Sequence, residues 1–160
     1  MNLRHVFIRC AWLSSLLVIP AFAAWATGRP FIFPSLGPSA FALVLGEDPI
    51  SARRVIGGHA VGIACGFLAY HLLAPGLTFH VFPVTWSVQD LRLAASGVAS
   101  LWLTTAGMLL THTRHAPACA TTLIVSLGLM PTLLDCGVIL LAVFSLYGTH
   151  KILRDVIRKL

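Results

Sequence analysis

The stretch "FPSLGPSAFALVLG" (residues 33–46) decides how the chain is read. Its apolar residues alone pass for part of a membrane helix. Yet it carries Pro34 and Pro38, the run Ser35-Leu36-Gly37-Pro38-Ser39 and a terminal Gly46, and it follows Gly28-Arg29-Pro30. Proline removes a backbone donor and glycine weakens a helix. Breakers in so apolar a run predict an irregular descent, then a short helix over residues 38–45 that opens on Pro38 and stops at Gly46.

The surroundings make this a membrane segment. Of 160 residues 58% are hydrophobic and only 10% charged, and the mean hydropathy is +0.89. Soluble domains carry about 25% charged residues. A soluble core of this size could not hide so much apolar surface. The formal charge of +6 does not point to nucleic acid, because the basic residues sit at the ends of apolar runs, as topology signals do. Cys10, Cys65, Cys119 and Cys136 show no C-x-x-C spacing and read as small packing residues rather than a metal or redox set. Arg4, Arg9, an apolar run and Ala21-Phe22-Ala23 imitate a cleaved signal peptide. Trp25 and the apolar segments that follow favour a retained first span.

A spanning helix needs about 20 apolar residues, and four runs qualify: residues 7–26, 55–73, 91–111 and 132–152. A second irregular stretch lies between the last two. It runs Thr111-His112-Thr113-Arg114-His115-Ala116-Pro117 and leads into an apolar run ending at Gly128. Both stretches have a proline-containing approach, a small-residue helix start and a G-x-x-P close, Gly46 to Pro49 and Gly128 to Pro131. The helices so defined, over 38–45 and 117–127, are about 12 to 17 Å long at 1.5 Å per residue, half a bilayer.

The expected fold is therefore an all-α polytopic membrane protein, a single transmembrane domain over residues 1–160. It has about six membrane elements in an inverted 3+3 repeat, with halves of roughly 1–75 and 88–160. With six crossings, Arg4, Arg9, Arg53, Arg54, Lys151, Arg154, Arg158 and Lys159 all fall inside, and Arg92 falls outside. Four spans with re-entrant stretches would put Arg53 and Arg54 outside, against the positive-inside tendency. The expected location is the cell (inner or plasma) membrane, with both termini cytoplasmic.

Irregular backbone at membrane depth survives only if buried in protein or lining a wet cavity. Two half-helix starts converging from opposite sides would present free N–H groups and positive dipole ends, an anion site. Ser35, Gly37, Pro38 and Ser39 would line one side, and Pro117, Thr121 and Thr122 the other, with Ala116 beside them. The competing reading makes the same residues caps and kinks for tight packing. Arg114 and His115 either face the cavity or, for Arg114, mark the inner interface. His112 and His115 lack a carboxylate or cysteine to complete a metal set. His59 either reaches the site or bonds a neighbouring carbonyl, and Asp135 is a candidate for proton coupling or a satisfied interfacial acid. Glu47 and Asp48 read as a solvated loop. Gly58, Gly62 and Gly66, four apart, form a small-residue stripe for close helix packing, within the chain or in a homo-oligomer. No nucleophile triad, phosphate loop or redox motif is present, so neither an enzyme nor a cofactor is expected.

These motifs resemble the HPP family of small integral membrane proteins, named for a His-Pro-Pro motif. Arg114-His115-Ala116-Pro117-Ala118-Cys119-Ala120-Thr121 is similar to its signature, and residues 34–40 and 49–59 to its earlier motifs. Ala116 replaces the middle proline, and Arg54 stands where asparagine is more usual. Chloroplast and cyanobacterial members are implicated in nitrite transport, so the resemblance implies a transporter or channel for a small monovalent anion, nitrite first among candidates. His115 could carry a proton alongside the anion, since histidine titrates near neutrality. The alternatives are a transporter of another small solute or a cation, and a non-transporting scaffold or subunit.

Overall fold

A computed structural model describes residues 3–46, 48–79 and 86–157. Glu47, Arg158 and Lys159, named above for the loop and the topology, lie outside the described residues. The described chain is all helical: α1 (Leu3–Thr27), α2 (Ile32–Leu45), α3 (Ala52–Leu73), α4 (Val88–Leu110), α5 (Cys119–Ser126) and α6 (Leu133–Ile157). A 3₁₀ turn, Ala116–Ala118, leads into α5. Helices α1, α3, α4 and α6 are long and apolar enough to cross a membrane, while α2 and the Ala116–Ser126 segment are shorter. The four expected spans are found, each shifted at its ends by up to five residues.

The ends of the helices alternate between two faces. On one face Arg53 donates to the Thr111 carbonyl at 2.9 Å and Arg54 Nε to the Arg114 carbonyl at 2.9 Å. This joins the start of α3 to the end of α4. Tyr147 Oη donates to the Ile50 carbonyl at 3.3 Å on the same side, and Trp12 stacks on His150 with ring centroids 5.2 Å apart, joining α1 to α6. On the other face Arg92 Nε donates to the Leu73 carbonyl at 2.8 Å, and Arg29 Nε meets Asp135 Oδ1 at 2.6 Å. Helix α2 packs between α1 and α6, and α5 between α3 and α4, and the two short helices touch each other.

Helix α2 corrects the expectation for the opening stretch. It starts at Ile32 rather than Pro38 and runs 14 residues, about 21 Å. Only residues 28–31 are irregular. Gly28 takes φ +65°, a conformation open to glycine, and the Arg29 N–H bonds back to the Ala24 carbonyl at 3.0 Å. Pro34 falls in the first turn of α2, where no intrahelical partner for its missing N–H is needed. Pro38 lies inside the helix. It removes the donor for the Pro34 carbonyl, but it sits on the exposed side of the helix, with Pro34, away from the packed face. The predicted stop holds: α2 ends at Leu45, and the Gly46 N–H bonds the Ala42 carbonyl at 3.1 Å. A Cβ on Gly46 would come within 2.5 Å of that oxygen.

The glycine stripe packs inside the chain. A Cβ at Gly58 would meet His115 Cβ at 2.7 Å, at Gly62 Thr122 Oγ1 at 2.6 Å, and at Gly66 the Thr122 carbonyl at 2.7 Å. Missing side chains let α3 lie directly on the segment from Thr113 to Val125. The stripe therefore carries no argument for contact between copies.

Candidate functional site

Where α2, α3 and α5 meet, five side chains form one hydrogen-bonded chain. Ser35 Oγ is 2.6 Å from Thr121 Oγ1, and Thr121 Oγ1 is 2.7 Å from His59 Nδ1. His59 Nε2 is 2.8 Å from Ser39 Oγ, and Ser39 Oγ is 3.0 Å from His115 Nε2. Ser35, Ser39, His59 and Thr121 have no exposed surface, and His115 is 3% exposed. Buried polar groups are costly unless bonded, so this network has to be complete to be tolerated.

Each member is positioned by its element. Ser35 and Ser39 are four apart on α2 and so share its inward face. Helix α5 runs antiparallel beside α2, which sets His115 against Ser39 and Thr121 against Ser35. His59 fits between because Gly58 beside it lets His115 Cβ and the Thr113 carbonyl close in. A further hydroxyl layer continues outward: Thr122 Oγ1 lies 3.2 Å from Thr104 Oγ1 and 3.3 Å from the Ala118 carbonyl. Ser96 Oγ donates to the Ser126 carbonyl at 2.8 Å, and Ser100 Oγ to that of Gly97 at 2.7 Å.

Of the residues expected at the site, Ser35, Ser39, His115 and Thr121 are brought together, with Thr122 one residue away on the α4 side. His59 belongs to the same network and bonds hydroxyls of two other elements rather than a nearby carbonyl. Gly37 and Pro38 turn away: Pro38 is exposed, and the space off Gly37 is open. Pro117 is half-buried in the 3₁₀ turn beside the network. Arg114 is exposed on the basic face, contributing its carbonyl to Arg54.

One expectation is overturned, and of the two readings of Asp135 the satisfied interfacial acid is the one found. The paired helix starts do not converge, because α2 begins at Ile32 and runs past α5 rather than opening against it. Ser39 is an interior helical residue and offers its hydroxyl, not a free N–H. Asp135 stands apart from the histidines. It pairs with Arg29 at the opposite face and accepts from the Thr132 N–H at 3.1 Å and hydroxyl at 2.6 Å. The Asp135 N–H returns a bond to Thr132 Oγ1 at 3.1 Å, which caps α6.

The α4 hydroxyls Ser96, Ser100 and Thr104 are not among the residues expected at the site. Their spacing of four puts them on one buried face of an apolar helix, and that periodicity was the available signal.

No curated protein and no solved structure matches the chain. The family model described as "HPP, transmembrane region" matches residues 2–150. With four apolar helices long enough to span, the chain belongs to the HPP family of multi-pass membrane proteins.

Proposed function

We propose that the protein passes a small monovalent anion across the membrane, with nitrite first among candidates, by way of the Ser35–Thr121–His59–Ser39–His115 network. The observation that carries this reading is the network itself. A membrane bundle gives up apolar packing at its centre for hydroxyls and imidazoles drawn from three elements. Hydroxyl O–H and imidazole N–H groups are donors that can replace the hydration of a monovalent anion. The ligand groups in this proposal are side chains rather than converging helix starts.

The mutual bonding of these groups favours an occluded resting state, in which the ion has to separate α2 from α5. The pairing of elements supports an inverted repeat of α1–α3 and α4–α6. The α1–α2, α1–α6 and α2–α6 contacts correspond to α4–α5, α4–α3 and α5–α3. Arg4, Arg9, Arg53, Arg54, Arg114, Lys151 and Arg154 share one face, against Arg29 and Arg92 on the other. This supports cytoplasmic termini in a cell membrane. A homo-oligomer belongs to the proposal only through a face other than the glycine stripe.

The test is flux into proteoliposomes with nitrite, nitrate, formate and chloride in parallel. Uptake of at least one anion above protein-free vesicles supports the reading. A protein that moves none of the four is a scaffold or a carrier of something else.

A further inference from the structure

Building on the anion reading, we infer that each anion crosses with one proton held on the His59–His115 pair, so that transport is electroneutral. Ser35, Ser39, Thr104, Thr121, Thr122, His59 and His115 include no fixed cation. The basic groups nearest in the chain are outward: Arg53 and Arg54 are exposed and held on the Thr111 and Arg114 carbonyls, and Arg114 itself is exposed. The network faces no titratable side chain from α2 or α4 in its hydrogen bonds. On α6, Asp135 is paired with Arg29 at the far face, His150 stacks on Trp12, and Lys151, Arg154 and Asp155 lie at the basic end. The Arg54 charge is felt at His115 but stays at the exposed end, so a bare anion deeper in the network, at His59 and Thr121, would be a poorly compensated buried charge, which is tolerated only with a partner. The two imidazoles are the groups in the network that can supply that partner, by taking up a proton.

The geometry restricts the pair to one proton and lets both rings share it. Both Nε2 atoms meet the same Ser39 oxygen, and the rings are 5.5 Å apart between centroids. Two imidazolium charges at that separation in a buried site repel. With one proton on His115, its Nε2–H donates to Ser39 Oγ and the Ser39 O–H donates to His59 Nε2. Transfer then moves the His115 Nε2 proton to Ser39 as the Ser39 proton moves to His59. His115 ends neutral with its proton on Nδ1. His59 ends as the imidazolium, donating from Nδ1 to Thr121 and from Nε2 to Ser39. Atoms and charge balance, and no other co-reactant is needed. Ser39–His115, at 3.0 Å, is the longest link in the chain of five, and its opening would seat an anion beside the charged ring.

The experiment is anion uptake into proteoliposomes that enclose a pH dye, with potassium and valinomycin setting the membrane potential. Nitrite and nitrate serve as probes, because nitrate has no membrane-permeant acid at neutral pH. The expected result is internal acidification with a proton-to-anion ratio near one, and an uptake rate that changes less than twofold between zero and strongly negative-inside potential. His115→Gln, checked for unchanged helicity and a single size-exclusion peak, is expected to slow uptake at least tenfold. Anion uptake without acidification, or at a rate several-fold sensitive to potential, overturns electroneutral coupling and leaves the anion reading standing. Absence of uptake of nitrite and nitrate, and of formate and chloride in the same vesicles, overturns both.

Discussion

His59 and His115, which are 56 residues apart in the chain, converge on a single hydroxyl: Ser39 Oγ lies 2.8 Å from the first Nε2 and 3.0 Å from the second. A serine has one proton to give. When that proton goes to one imidazole, the other has to donate its own. The neutral tautomers of the two rings are thereby tied together through α2. Nitrogen-15 NMR of the labelled imidazoles is expected to show opposite neutral tautomers, one protonated on Nδ1 and the other on Nε2. Identical tautomers would show that Ser39 does not bridge the two rings by accepting from one and donating to the other.

Removing the shared hydroxyl strands two buried nitrogens. Ser39→Ala is expected to cost about 1–3 kcal/mol, the range for leaving a buried polar group unpaired. The check is thermal unfolding in detergent beside Ser145→Ala, whose hydroxyl bonds only the Ala142 carbonyl on its own helix. A larger fall in midpoint for Ser39→Ala is predicted, and equal midpoints would contradict it.

Close approach of α3 to α5 depends on missing side chains. Gly62→Ala sets a methyl 2.6 Å from Thr122 Oγ1 and is expected to destabilise by about 1–3 kcal/mol through overpacking. Gly148→Ala lies in α6 with nothing within 4 Å and is expected to stabilise by about 0.5–1 kcal/mol, because alanine loses less backbone freedom in a helix. Opposite signs in the same unfolding assay are the signature.

Orientation is open to direct labelling. In a variant with the four native cysteines replaced by serine, Gln89→Cys is expected to react with an impermeant maleimide on intact cells. Arg53→Cys is expected to react only after permeabilisation. The reverse pattern would place the basic face outside.

Hydropathy located the four long helices, because a run of about 20 apolar residues has few other uses. The stops at Gly46 and Gly128 were equally legible, since glycine after an apolar run is a local signal. The start of α2 was not. Pro34 reads as part of an irregular descent and Pro38 as a helix start, but both lie within α2 on its exposed side, and that depends on neighbours the sequence does not order. The site was half legible. Pro/Gly punctuation singled out Ser35, Ser39, His115 and Thr121, but the role of His59 comes from contacts with α2 and α5 that no local pattern records. Gly58 to Gly66 announced close packing, yet the partner, residues 113–125 of the same chain, emerged only from the fold.

The most direct test of the central claim compares nitrite uptake by the parent, His115→Ala and Arg114→Ala in proteoliposomes of matched protein content. With the buried network as the path, the parent takes up nitrite, His115→Ala falls at least tenfold, and Arg114→Ala, on the exposed basic face, loses less. Uptake by His115→Ala equal to the parent, or a parent no faster than empty vesicles, would contradict it.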